Sequence, residues 1–554
     1  MDIFIMIGFI QVLFYYKENL MKSPFVNQDY YLSSSDINDR SLLFKWNEEM
    51  YDVYSPVCEN GKRIVIGKHP LMSKSTVLEI LDSAVKAYDN GRGEWPTSTV
   101  SKRIECVSKF RDMMKERREE IVNLLMWEIC KRRIDAESEF DRTIQYITET
   151  INALVDLDRN SSKFISDSGV IAQIRRSPFG VCLCMAPFNY PLNETFTTLI
   201  PALIMGNTII FKPAKFGVLL FAPLLECFET CFPKGVVNSI YGDGKTIIEP
   251  LMSSGKIDVL AFIGTSKVAD ILKRQHPKPH RLKSILGLDA KNIGIVTETA
   301  DIKNAVKECL LGTLTFNGQR CTALKLLYVK RSIAKPFTDA FVEEVLKLRM
   351  GLPWEEGVNI TPLPEDGKCE YLMSLIKDAV GFGAKALCGG WCITKNNLNS
   401  LHPYSENMPT LFTPVVLTYV NKHMRIFHEE QFGPVVPIVY YDDIEEPINA
   451  VVESNFGQQV SIFSTENPEQ LGKLIDIFTN QVSRVNINCQ CQRGPDSFPF
   501  NGRKDSAEGT LSISDALKAF SIRSIVATKE ATKYVFSDII KQNTSNFLNT
   551  NFIL

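Results

Sequence analysis

Apolar residues recur every three and four positions across residues 76–88 and 99–127, with charged residues between them, and again across 137–155. That period gathers apolar side chains on one helical face, so this part of the chain predicts as amphipathic helices. The pattern breaks at 161–176, where Ser, Asp and Gly precede Val170-Ile171-Ala172-Gln173-Ile174. This predicts an exposed turn and strand. Short apolar runs at 180–186, 208–212, 235–241 and 259–263 then alternate with helical stretches at 191–205, 218–230, 246–252 and 266–274. Alternation of this kind means βαβ units and a parallel sheet, which binds ligands beyond the carboxyl ends of its strands. A second α/β run covers 284–488, with strands expected at 293–296, 326–329, 435–440, 461–463 and 484–487. The tail after Lys529 is polar and Asn-rich and is expected to dock loosely.

Composition narrows the function classes. A net charge of −2 leaves no electrostatic footprint for nucleic acid. Fourteen cysteines spread over 554 residues suit a reducing compartment better than a disulfide framework, so the body of the protein is expected to be cytoplasmic. The six histidines show no metal-ligand spacing. Cys182/Cys184 and Cys489/Cys491 sit in apolar, strand-like runs and predict packing rather than a metal site. Residues 3–16 are strongly apolar but short for a bilayer span, and Asp2 replaces the basic start of a signal peptide. Two readings stay open: a membrane anchor or unusual signal, or an extension ahead of a start at Met21. No membrane role is expected for the body.

The chemistry centres on Thr315-Phe316-Asn317-Gly318-Gln319-Arg320-Cys321-Thr322. A thiol is nucleophilic as a thiolate, and a neighbouring cation such as Arg320 lowers its pKa. A lone cysteine is more often a buried hydrophobe, so the context decides. The run 316–321 is accompanied by Ala186-Pro187-Phe188-Asn189-Tyr190-Pro191, Phe211-Lys212-Pro213, Phe262-Ile263-Gly264-Thr265-Ser266 and Glu430-Gln431-Phe432-Gly433-Pro434. Together these resemble the aldehyde dehydrogenase superfamily. The segment Gln492-Arg493-Gly494-Pro495-Asp496-Ser497-Phe498-Pro499-Phe500 resembles its NADP-dependent, non-phosphorylating glyceraldehyde-3-phosphate dehydrogenase branch.

The resemblance implies Cys321 as nucleophile and the Asn189 amide as oxyanion donor. It implies Lys212 at the adenosine ribose, Gly264 and Thr265 at the pyrophosphate, and Glu430 at the nicotinamide ribose. Where NAD-preferring relatives carry a glutamate, this chain has Lys215, which would attract rather than repel a 2′-phosphate and so favours NADP. Arg142, Tyr190, Arg320 and Arg493 match the branch's phosphate ligands, and guanidinium suits bidentate phosphate recognition. The implied reaction is oxidation of D-glyceraldehyde 3-phosphate to 3-phosphoglycerate through a cysteine thioester.

One departure matters. Where the family has a glutamate that activates the hydrolytic water, this chain has Gly287, in Gly287-Leu288-Asp289-Ala290-Lys291. A glycine has no base to offer. Asp289 is one replacement, on the same strand face but displaced by about 6–7 Å. A second reading is a CoA-acylating semialdehyde dehydrogenase, and a third a catalytically silent cofactor-binding or structural homologue. A smaller departure is Ala269, where the family usually has glycine.

The expected architecture is the α/β aldehyde dehydrogenase fold. A Rossmann-like cofactor domain would span 46–160 and 177–286, and a catalytic α/β domain 287–520. An oligomerisation arm would span 161–176 and 521–528, with 1–45 as an extension and 529–554 as a tail. The strand at 521–528 is expected to pair with the arm of a partner subunit in a homodimer or homotetramer.

Overall fold

The computed structural model describes residues 49–390, 392–393, 408–465 and 468–550. The apolar segment 3–16 lies outside them. Two parallel sheets organise the chain. In the first, Val181–Met185 is central, with Thr208–Lys212 and then Val237–Ser239 to one side and Val259–Ile263 and then Lys283–Gly287 to the other. The chain therefore reverses its direction of winding beside Val181–Met185, which opens a crevice at the carboxyl ends of the strands. The second sheet runs Lys385–Ala386, Val415–Thr418, Val435–Tyr441, Leu324–Lys330, Asn292–Val296, Gln459–Phe463 and Arg484–Ile487, parallel except for the first strand. The short strand Ala507–Glu508 returns from the second half and pairs antiparallel with Lys283–Gly287, so Gly287 sits at the seam between the halves.

The first sheet is covered by helices whose apolar faces meet in an aromatic cluster. Phe228 lies 4.4 Å from Phe110 and 5.6 Å from Phe211, centroid to centroid, and all three are buried. Helix Pro191–Ile204 is buried along its whole length. Proline opens it, as suits a first turn that needs no N–H donor, and the Glu139 carboxylate accepts from the N–H groups of Leu192 and Asn193. Glu139 in turn pairs with the fully buried Lys131. Among the described residues no helix is long and apolar enough to cross a membrane.

Several expectations need correction. The helix expected at 99–127 is two, Val100–Lys115 and Arg118–Ile129. The hairpin Glu49–Glu59/Lys62–Leu71 was not anticipated. The strand Ser521–Lys529 pairs along its whole length with Val170–Pro178 of its own chain, in register from Ser521↔Pro178 to Lys529↔Val170, and forms the edge of that sheet. The tail is docked rather than loose. Helix Tyr534–Gln542 follows the strand, Phe536 packs on Phe164, and Gln173 and Arg175 donate to the carbonyls of Asn549 and Phe547 at 2.6 and 3.1 Å.

Candidate active site

Cys321 lies between helix Ile302–Leu314 and strand Leu324–Lys330, on a loop held from all sides. Phe316, Asn317 and Gly318 take left-handed backbone angles in succession. Asn317 holds this conformation by exchanging hydrogen bonds with the Thr361 backbone, 3.0 Å each way. At Gly318 a Cβ would fall 2.7 Å from the Thr313 carbonyl oxygen and 2.8 Å from that of Gly433, so only glycine fits. The Cys321 carbonyl accepts from Asn292 Nδ2 at 2.7 Å and Lys325 Nζ at 3.2 Å. Asn189 donates through Nδ2 to the Gln319 carbonyl at 2.8 Å, which ties the turn after Val181–Met185 to the thiol loop. Lys131 Nζ donates to the Asn189 carbonyl at 2.7 Å and lies 3.6 Å from the Tyr190 ring centroid.

The thiol opens into a cavity of about 700 Å³. Most of the expected site residues line it: Arg142, Asn189, Tyr190, Arg320 and Arg493, with Gly264, Thr265, Asp289 and Glu430; Gly287 lines it too. Lys212 and Lys215 do not. Lys212 ends its strand in the crevice, where burial lowers its pKa to about 8. Among the described residues its one hydrogen bond is to the Pro213 carbonyl, 3.1 Å away. Lys215 is exposed and pairs with Asp366 at 2.8 Å.

Electrostatics differ from expectation. The Cys321 thiol is pushed up, not down. Burial is the main cause and the Glu194 carboxylate adds to it, while Lys325 and Arg493 oppose. Arg320 faces back toward its own loop, with Nη2 donating to the carbonyls of Leu311 and Gly312 at 3.0 Å each. Arg142 holds Asp496 in a two-pronged pair at 2.6 and 2.7 Å. Burial works against the Arg142 charge, and Asp496 more than offsets it, holding the guanidinium above its usual range. Arg493 pairs with Glu194 and lies 3.6 Å from Asp496. The Nε atoms of Arg320 and Arg493 are buried without a hydrogen-bond partner among the described residues. Burial raises the Tyr190 phenol to about 12, so it stays a donor at neutral pH. Glu430 is 2.5 Å from Lys325 Nζ, and burial raises its carboxyl against the pull of that lysine.

A model of the aldehyde dehydrogenase family matches residues 45–526. The chain belongs to the aldehyde dehydrogenase family. It is similar to the NADP-dependent glyceraldehyde-3-phosphate dehydrogenase of Streptococcus equinus, 31% identical over 487 residues that cover 86% of this chain and 95% of the relative. It is also similar to the lactaldehyde dehydrogenase of Methanocaldococcus jannaschii, 27% identical over 88% of this chain and 99% of the relative. Among solved structures, the Bacillus halodurans NADP-dependent glyceraldehyde-3-phosphate dehydrogenase in complex with NADP superposes with a TM-score of 0.77 at 29% identity, covering 87% of this chain and 96% of that one.

As an aldehyde dehydrogenase, this chain departs from the sequence expectation at two points. Asp289, the expected stand-in base, has one carboxylate oxygen on the N–H and hydroxyl of Ser266, at 2.7 and 2.8 Å. That oxygen is thereby engaged at the first N–H of helix Ser266–Gln275, whose own cap is Thr265. At Gly287 the backbone does not require glycine. A Cβ there would meet Ile263 at 3.4 Å, an ordinary contact. The sequence reading also overlooked Glu194 and Lys325. Glu194 is the sole charged residue in Pro191–Ile204, and Lys325 is the second residue of strand Leu324–Lys330 and is buried with its apolar neighbours. A lone charge in an apolar run was the available signal for both.

Proposed function

We propose that the protein oxidises D-glyceraldehyde 3-phosphate to 3-phosphoglycerate, with NADP as hydride acceptor. The observation that carries the reading is the pair of buried guanidinium groups, Arg320 and Arg493, which share the thiol's cavity and keep an Nε–H without an acceptor. A buried donor left unpaired is costly, and a phosphate oxygen is a fitting acceptor. Tyr190 supplies a further hydroxyl donor. Arg142 contributes less directly, because Asp496 already neutralises it.

Cys321 attacks the aldehyde carbon, and the oxyanion is stabilised by the second N–H of the Asn189 amide. Loss of hydride leaves an acyl thioester on Cys321. Water then attacks the acyl carbon, the C–S bond breaks, and the thiolate leaves. The cofactor crevice fits a dinucleotide in two respects. Lys212 keeps most of its donor capacity unused at the carboxyl end of the sheet. Gly244, opposite it, has no atom closer to its Cβ position than Lys212 Cε at 3.9 Å. Lys212 would hold the adenosine ribose, Gly264 and Thr265 the pyrophosphate, Glu430 the nicotinamide ribose, and Lys215 the 2′-phosphate. NADP would supply the hydride acceptor. Exposed Ile165, Val170, Ile522 and Ile525, on the sheet of strands Phe164–Asp167, Val170–Pro178 and Ser521–Lys529, support a homo-oligomer.

The test compares substrates. If the arginines hold a phosphate, kcat/KM for glyceraldehyde 3-phosphate exceeds that for glyceraldehyde by roughly 10²-fold, since charged hydrogen bonds contribute about 1.5–3 kcal/mol each. Equal values would remove the substrate assignment. An absolute requirement for CoA would replace hydrolysis with acyl transfer to a thiol.

A further inference from the structure

A buried carboxylate lines the nucleophile's cavity from an unexpected element. Glu194 projects from the first turn of helix Pro191–Ile204, five residues after Asn189, and its side chain is only 9% exposed. It lines the same cavity as Cys321 and Gly287. Its partners are few. Oε1 meets the Arg493 guanidinium, and Oε2 accepts a long bond of 3.4 Å from the Thr197 hydroxyl. Burying an ionised group is expensive unless it is paired, and Glu194 is the only charged residue of its helix. The Glu194 carboxylate shares this cavity with the Cys321 thiol, and its charge opposes ionisation of that thiol.

We propose that Glu194 is the general base for thioester hydrolysis, taking the place of the side chain missing at Gly287. The inference rests on the thioester chemistry proposed above and names the group that completes it. One proton of the attacking water passes to the Glu194 carboxylate as its oxygen bonds to the acyl carbon. The C–S bond breaks, Cys321 leaves as thiolate, and the carboxyl proton is released to solvent. In the unliganded site the Arg493 guanidinium occupies Glu194 Oε1. An anionic group on the substrate competes for Arg493 and frees Glu194, so the base is most competent when a phosphorylated acyl group is in place.

The experiment is a rapid-mixing NADPH trace on the full-length parent, Glu194→Gln and Glu194→Gln/Gly287→Glu, each with glyceraldehyde 3-phosphate and, separately, with propanal. Glutamine keeps the shape of the helix, and intact thermal unfolding together with cofactor binding establishes that each variant is folded. The expected result for Glu194→Gln is a burst close to one equivalent with steady-state turnover lower by about 10²–10⁴-fold. Turnover is recovered in the double variant, which restores a carboxylate at the family position. Unchanged steady-state turnover in Glu194→Gln overturns the proposal. So does a change confined to KM, which would make Glu194 a tuning partner of Arg493 only. A parent burst with propanal alone would remove the phosphorylated substrate, yet the turnover ratio of Glu194→Gln to parent on propanal still decides the role of Glu194. No burst on either aldehyde would overturn both readings.

Discussion

The two walls of the cavity have been treated differently. On the nucleophile wall, the loop around Cys321 is over-determined: three successive left-handed residues, a glycine with no room for a Cβ, and anchors from Asn317, Asn292, Lys325 and Asn189. On the facing wall, the end of strand Lys283–Gly287 carries no functional side chain, and its backbone would accept one. Strained, multiply anchored backbone persists where the geometry is in use. The proposed reading accounts for the contrast: acylation at Cys321 keeps its scaffold, and deacylation is assigned to another element.

The comparison can be broken most severely at the thiol. Cys321→Ser should abolish both the NADPH burst and turnover, and a retained burst would mean that the nucleophile lies elsewhere. Next in size is the anchor beneath Asn189. Lys131 and Glu139 are a fully buried pair, and removing one partner leaves an uncompensated buried charge. Lys131→Met should cost about 3–5 kcal/mol in urea unfolding and slow the burst, because the Asn189 carbonyl loses its donor. Gly287→Glu alone sharpens the contrast from the other wall. A carboxylate there should raise steady-state turnover by about 10-fold or more if hydrolysis limits the parent, and leave the burst amplitude unchanged.

Titration gives a smaller effect. Burial brings Lys212 down to about 8 from 10.5, so its ammonium is lost as pH rises through 8 while the unfolded chain still binds the proton. Between those two values the unfolded state binds more protons, and this group's contribution to stability therefore rises with pH. Cofactor binding should move the opposite way, weakening between pH 7 and 9 as the ammonium donor disappears. Lys212→Met should bind more weakly at pH 7 and lose the pH dependence in calorimetric titrations. The smallest effect belongs to Lys215, which is 61% exposed and shared with Asp366. Lys215→Ala should shift the NADP/NAD preference by no more than about 5-fold, as expected for a solvent-screened pair of up to about 1 kcal/mol.

Much of this arrangement was legible from the chain alone, for reasons specific to particular residues. The strands at 181–185, 208–212 and 259–263 read clearly because buried parallel strands are short apolar runs between helices of a different period. The hairpin at 49–71 did not, since its polar and apolar positions do not alternate cleanly around its bulges. Cys321 and its loop were visible as local sequence. The partners that decide its charge were not, because Glu194 and Arg493 are some 300 positions apart in the chain and meet only through the fold. The surroundings of Asp289 were hidden for the same reason. Its spacing from Gly287 suggested a stand-in, and the start of helix Ser266–Gln275, next to it in space, takes one of its carboxylate oxygens.

The most direct test of the central claim, that acylation is intact and hydrolysis persists without the family's glutamate, is a single rapid-mixing trace of the unmodified protein with glyceraldehyde 3-phosphate and excess NADP, without CoA. The account predicts a burst near one equivalent followed by sustained linear formation of NADPH and 3-phosphoglycerate. A burst that stalls after one equivalent, with the acyl group still on Cys321, would contradict it.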